Sequence, residues 1–399
     1  MNFVFVSPHF PSNYYRFCKA LKDNGCNVLG IADMPFDQLP SQTKDSLCDY
    51  YYVHDLKNYD EKYRAVAYFA SKYGKIDFIE SNNEFWLYDD ARLREDFNIC
   101  TGPKLDQIEY FRHKSLMKDK YKIANVKTAR WHIVNNIDDC LEFIEKVGYP
   151  LIVKPDDGVG ASYTYKIKNR ADLDSFMEKK NSFLKDRTYI MEEFIKGDLI
   201  SLDGVCDANG NIIYPTHHVF PIPIVDVVTG DEDVYYYTNK NIPEDLLNAG
   251  QAILHAFKVK SRFFHFEFFR LTEDSHLGKK GDLYGLEVNM RVPGGYTPDM
   301  IDFAYSVDIY KIWADVMCFN ENKEYTGFSK MYCIYIGRRF NGKYEHSVPE
   351  IRQKYSKNVC YFDNNPQILA DAMGDYFVMA KFDTMKEVNE FVKFGLKRI

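Results

Sequence analysis

A chain of 399 residues with 46% hydrophobic and 27% charged content has the length for two or three domains and the makeup of a globular protein. Its net charge of −7 argues against a broad nucleic-acid-binding face and leaves only local basic pockets open. Nine scattered cysteines without a CxxC pair or Cys/His cluster support neither a zinc site nor a redox motif and suit a reducing cytoplasm; no run of about 18 apolar residues predicts a membrane span, and residues 1–6 are too short for a secretion signal.

The apolar run 2–6 reads as a strand, followed by a helix over 13–24 closed by Gly25 and a strand over 27–32. A helix over 60–73 ending at Gly74, a strand over 76–80 and a helix over 84–95 continue the alternation. This order predicts parallel βαβ units, so residues 1–105 read as a small open α/β domain. Ligands of such sheets sit at strand carboxyl ends, where Ser7-Pro8-His9 and Ser81-Asn82-Asn83-Glu84 fall. Asn82 and Asn83 fit a turn and helix cap as well as a substrate contact.

A helical connector over 105–123 carries Lys114. Strands at 131–134, 151–155, 163–167 and 189–194, with helices over 137–147 and 171–179, then predict a second, α+β unit ending near 205. Residues 198–206 and 211–219 read as a hairpin turned at Asn209-Gly210. The acidic, Tyr-rich stretch 221–241 reads as a long loop and a candidate lid, with His217, His218 and Tyr235 to Tyr237 as candidate substrate contacts. A histidine pair there also fits a surface turn. A helix over 243–258, two strands and a helical stretch over 299–317 complete a third unit, 206–320. Residues 321–399 predict a final α+β unit, with strands at 331–336 and 376–381 and a terminal helix whose Met385, Val388, Phe391 and Val392 share a face.

The two strands hold the most specific pattern. In Glu287-Val288-Asn289-Met290-Arg291-Val292-Pro293-Gly294-Gly295, alternation sends Glu287, Asn289 and Arg291 to one face and the apolar residues to the other. Glu267, inside the aromatic run 263–269, joins them if the strands are neighbours. Hard oxygen ligands beside a fixed cation suit Mg²⁺ bridged to phosphate oxygens. Upstream, Lys154 ends an apolar strand, where burial is costly unless the ammonium meets an anion. It precedes the loop Asp156-Asp157-Gly158-Val159-Gly160-Ala161-Ser162, whose small residues let backbone N–H groups approach phosphates. Alone, that loop fits a plain hairpin better than a phosphate cradle. Glu192-Glu193-Phe194-Ile195-Lys196-Gly197-Asp198, at a strand end, offers acceptors, backbone donors and apolar walls for a purine, and also fits an acidic turn.

In this order, the set resembles the ATP-grasp superfamily over residues 105–318, and the Glu-x-Asn-x-Arg-x-x-Gly-Gly ending looks most like its carboxylate–amine (dipeptide) ligase branch. The resemblance implies an ATP-grasp fold behind a Rossmann-like N-terminal domain: 1–105, a lid subdomain with connector over 106–205, a catalytic core over 206–320 and a C-terminal subdomain over 321–399. It implies that Lys114 and Lys154 contact ATP phosphates, and that Asp157, Gly158, Gly160, Ala161 and Ser162 fold over them. Glu192, Glu193, Phe194 and Ile195 would hold adenine. Asp198 would take the ribose, where the family more often has Glu. Glu267, Glu287 and Asn289 would bind Mg²⁺ (or Mn²⁺), and Arg291 would stabilise the transferring phosphoryl group. Gly294 and Gly295 would offer N–H donors to an oxyanion, or form a bare turn. The implied substrates are a small carboxylate and an amine, in the cytoplasm, with no nucleic-acid or membrane partner; dimers are frequent in the superfamily. Two other functions compete: an ATP-grasp enzyme with another acceptor, as in carboxylases or carbamoyl-phosphate synthesis, and a non-catalytic nucleotide binder. No biotin-carrier segment or second ATP-grasp copy is recognisable, and each expected metal ligand and lysine is present.

Overall fold

The computed structural model describes residues 1–158, 163–182, 184, 186–222, 233–321 and 330–399. Three sheets organise them. In the first, β1 (Asn2–Val6), β2 (Asn27–Ala32), β3 (Asp49–Tyr52) and β4 (Phe78–Glu80) run parallel in the order β3-β2-β1-β4. The second is antiparallel, with β5 (Trp131–Ile133), β6 (Leu151–Pro155), β7 (Tyr165–Ile167) and β8 (Tyr189–Glu193) in the order β5-β8-β6-β7. The third has eight strands: β9 (Gly197–Cys206), β10 (Ile212–Phe220), β11 (Val234–Thr238), β12 (Arg262–Leu271), β13 (Leu283–Asn289), β14 (Tyr332–Arg338), β15 (Val359–Asn364) and β16 (Tyr376–Phe382). Their order is β13-β12-β9-β10-β11-β14-β16-β15, with every pairing antiparallel.

The large sheet crosses the boundaries read at 205/206 and 320/321. β9 begins at Gly197, directly after the adenine-type segment, and residues 332–382 add three strands beyond β11. Val234–Thr238 is a strand inside the stretch read as a loop, while residues 223–232 lie outside the described residues.

Local chemistry sets the breaks. The Asn58 side chain caps Tyr59–Tyr73 by accepting from Asp60 N–H, and Gly74 ends it at φ +82°. At the β9–β10 turn, Asp207 Oδ1 accepts from the N–H groups of Asn209 and Asn211, both at 2.8 Å.

The N-terminal sheet is fastened to the large one by a buried aromatic cluster. The Phe17 ring lies 4.6 Å from Tyr310, 5.1 Å from Trp313 and 5.7 Å from Phe263. Beside it, buried Glu80 at the end of β4 pairs with Arg94 and with Arg262, each at 3.2 Å. The Nε of Arg262 donates to the carbonyl of Met290 at 2.7 Å, so the same side chain that grips β4 also holds the chain just past β13.

Candidate active site

β12 and β13 pair with Glu267 directly opposite Glu287 and His265 opposite Asn289, which brings both carboxylates and the amide onto one face. A bulge follows, with Gly285 opposite Phe268. Glycine is required at that point because a Cβ at 285 would stand 2.5 Å from the Tyr121 ring.

Around this pair stand cations. Lys114 Nζ lies 3.3 Å from Glu287 Oε1 and donates to the carbonyl of Gly158 at 3.0 Å. Burial disfavours its charge, yet Glu287 holds the ammonium above its ordinary pKa. Arg291 Nε and Nη2 donate to Glu84 Oε2 at 3.1 and 2.9 Å, so a residue of the N-terminal domain reaches the site. Gly295 adopts φ +61°, and the Gly294 carbonyl accepts from Thr297 Oγ1 at 2.8 Å.

These groups line a cavity of about 470 Å³ between the second and third sheets. On its other side, the Glu192 carboxylate is spanned by Lys118 (2.5 Å) and Lys154 (2.6 Å). Burial would raise that carboxyl, but the two ammonium groups hold it down at about 2. The base of the glycine-rich loop is tied to the connector: Asp156 accepts from the Ser115 N–H (2.7 Å) and hydroxyl (2.9 Å), and its carbonyl accepts from the Lys114 N–H (2.9 Å).

Of the residues read from the sequence, Lys114, Lys154, Gly158, Glu192, Glu193, Phe194, Ile195, Glu267, Glu287, Asn289, Arg291, Gly294 and Gly295 converge on this cavity. Gly160, Ala161 and Ser162 lie outside the described residues, and Asp157 is exposed. The Glu193 carboxylate is taken by Arg130 (2.5 Å) and His276 (2.6 Å), as Glu192's is by its lysines. Asp198 is not brought in. Gly197 and Leu199 line the cavity, so alternation along β9 turns Asp198 to the opposite, exposed face. Tyr236 lines the cavity, whereas Tyr235 and Tyr237 pack on the far side of β11. His217 and His218 are buried in β10. Asn83 caps the turn after β4 by accepting from Phe85 N–H at 3.0 Å, and Asn82 is fully buried.

Sequence reading missed Lys118 and the Asp203–His265 pair, and it placed Glu84 at a strand carboxyl end without its contact to Arg291. Lys118 carried a signal, since it follows Lys114 by one helical turn; Glu84 and Asp203 act through contacts remote in sequence.

The donor set fits Mg²⁺-nucleotide. Among the described residues no three His, Cys, Asp or Glu side chains form a metal cluster by themselves. Glu267, Glu287 and Asn289 would instead offer two carboxylates and an amide oxygen, a partial hard-ligand set that a bound Mg²⁺-nucleotide would need to complete. Lys114, Lys154 and Arg291 face the same space with positive charge suited to phosphates.

A family model described as the ATP-grasp domain matches residues 147–297. This stretch is an ATP-grasp domain. The chain is similar to an L-arginine-specific L-amino acid ligase of Bacillus subtilis, 26% identical over 251 residues, which cover 60% of this chain and 57% of that protein. The chain thus spans little more than half the length of that relative. It is also similar to D-alanine–D-alanine ligase B of Clostridium perfringens, 37% identical over 89 residues, 21% of this chain and 28% of that one. The solved L-amino acid ligase of Bacillus licheniformis superposes with a TM-score of 0.72 over 98% of this chain and 96% of its own, at 16% identity. That agreement shows that nearly the whole chain shares the fold of that protein.

Proposed function

We propose that the protein is an ATP- and Mg²⁺-dependent carboxylate–amine ligase that activates a small carboxylate as an acyl-phosphate and joins it to an amine, releasing ADP and phosphate. The observation that carries this reading is the facing pair Glu267–Glu287 with Asn289 on the same face and Arg291 two residues on. Glu267, Glu287 and Asn289 would hold Mg²⁺, which supplies charge neutralisation to the phosphate oxygens. Lys114 and Lys154 bind the phosphates. Arg291, kept in place by Glu84, faces the charge that builds as the substrate carboxylate attacks the γ-phosphorus. Phe194 and Ile195 offer apolar walls and backbone groups to the adenine.

Beyond Gly295 the cavity is walled by Phe220, Val234, Tyr236, Leu369 and Met373, and the Tyr236 and Thr297 hydroxyls satisfy each other at 3.0 Å. This end suits an uncharged, apolar substrate side chain, because a charge there would find no partner among these walls. Nine free thiols support a cytoplasmic setting, and among the described residues no helix is long and apolar enough to cross a membrane.

The test is ADP release with amino acids supplied singly and in pairs. Release that needs two substrates supports the ligase; release with bicarbonate alone points to a carboxylating acceptor, and nucleotide binding without turnover to a non-catalytic binder.

A further inference from the structure

The large sheet carries a line of buried polar side chains that ends at Glu267. Asp203 on β9 is fully buried, directly opposite His265 on β12. Its Oδ2 accepts from the Ser201 hydroxyl at 2.7 Å and from His218 Nδ1 at 2.6 Å. Its Oδ1 accepts from His265 Nδ1. Both oxygens are therefore committed, to groups on three adjacent strands, and the carboxylate has no freedom to turn. The His265 ring is fixed from that side, so its Nε2 points in one direction, to Glu267 Oε1 at 3.2 Å. Among the described residues Glu267 Oε2 takes no hydrogen bond, and the Glu267 side chain lines the cavity.

We propose that His265, clamped by Asp203, is a positioning residue that orients Glu267 so that one carboxylate oxygen is held and the other is presented as a metal ligand. The inference rests on the metal assignment given above. Burying four polar side chains across three strands is costly, and His218 Nε2 finds no hydrogen-bond partner among the described residues, whereas a sheet interior is more simply filled with apolar residues. This line instead runs from the core to a ligand carboxylate, the arrangement by which outer groups fix a ligand's rotamer, and losing such a group typically weakens metal binding about 10–100-fold.

The test uses the full-length protein with Mn²⁺ as the probe, titrated at saturating ADP and followed by the electron paramagnetic resonance of free Mn²⁺. ADP binding without metal reports whether the site is folded. His265→Asn keeps an amide near the Nδ1 position for Asp203 but leaves Glu267 without a donor; His265→Gln places an amide near the Nε2 position. The expected order is wild type tightest, His265→Gln intermediate, and His265→Asn about 10–100-fold weaker. The double variant His265→Asn/Glu267→Gln should be no weaker than Glu267→Gln alone, because both remove one ligand. Metal-free ADP binding should be equal throughout. The proposal is overturned if His265→Asn binds Mn²⁺ as wild type does, if its loss adds to that of Glu267→Gln, or if metal-free ADP binding falls in step. A wild-type protein that takes up no Mn²⁺ beside ADP overturns the metal assignment itself, and the role of His265 with it.

Discussion

Arg291 and Glu84 join the chain just past β13 to the turn after β4: two guanidinium nitrogens of Arg291 converge on one oxygen of Glu84, at 3.1 and 2.9 Å. The contact holds the guanidinium in one plane at the edge of the cavity. Arg291→Lys keeps the charge but loses the planar fork. It should lower kcat on the order of 10²-fold, the scale of a lost electrostatic donor in the transition state. ADP affinity should change little. Steady-state ADP release beside an ADP titration separates the two, and a variant with wild-type kcat would show that Arg291 plays no part in the chemistry.

Glu287→Gln should abolish turnover while leaving part of the nucleotide affinity. A neutral amide at the centre of a two-carboxylate set weakens Mg²⁺ far more than it weakens contacts to adenine, which stand across the cavity at Phe194 and Ile195. Wild-type turnover in this variant would sink the metal assignment.

The buried Glu80 carboxylate is shared by Arg94 and Arg262, both fully buried. Glu80→Ala leaves two guanidinium groups without their counter-charge and should cost about 3–5 kcal/mol of stability. Urea unfolding measures it. A loss of under about 1 kcal/mol, the scale of an exposed pair, would mean that the network does not fasten the N-terminal domain.

His217 gives the protein an acid-sensitive element. Burial pulls its imidazole down to about 4, and its Nδ1–H donates to the Ser201 carbonyl at 2.9 Å. The folded state therefore binds fewer protons than the unfolded chain between pH 6.5 and 4. Stability rises with pH across that window and falls as the pH drops, by roughly 3 kcal/mol at most. His217→Asn keeps a donor near the same place without a titrating ring. Its stability should fall less between pH 6.5 and 4, with wild-type pH dependence above 6.5. Parallel curves from pH 7 to 4 would assign the acid loss to other groups.

Much of the acidic end of the cavity was legible because it is local. Glu287 and Asn289 share a face of β13 by alternation alone, and the aromatic run around Glu267 left little doubt of a strand. The parallel N-terminal sheet was legible for a similar reason, with Gly25 and Gly74 marking helix ends at φ +84° and +82°. Parity decided what was misplaced. Asp198 looked like a ribose ligand by its position after Glu192, but β9 starts at Gly197, and one residue of register turns it away. Val234–Thr238 was hidden because Tyr235, Tyr236 and Tyr237 show no alternation, although the strand buries Tyr236 on one face and packs its neighbours on the other. The edge strand Asp49–Tyr52 likewise has no apolar pattern. Ion pairs such as Lys118–Glu192 and Arg291–Glu84 link residues far apart in the chain, and although Lys118 follows Lys114 by one helical turn, nothing local announces either pairing.

The most direct measurement is oxygen transfer from substrate to phosphate. A carboxylate substrate labelled with ¹⁸O on both oxygens is incubated with the protein, ATP, Mg²⁺ and an amine, and the phosphate released is analysed by mass spectrometry. Attack of the carboxylate on the γ-phosphorus and displacement of the acyl-phosphate by the amine must leave one labelled oxygen in each phosphate, alongside an amide product whose mass is that of the two substrates less one water. Phosphate that carries no label, with ATP consumed, would mean that water attacks the γ-phosphorus and that no acyl-phosphate forms at this site.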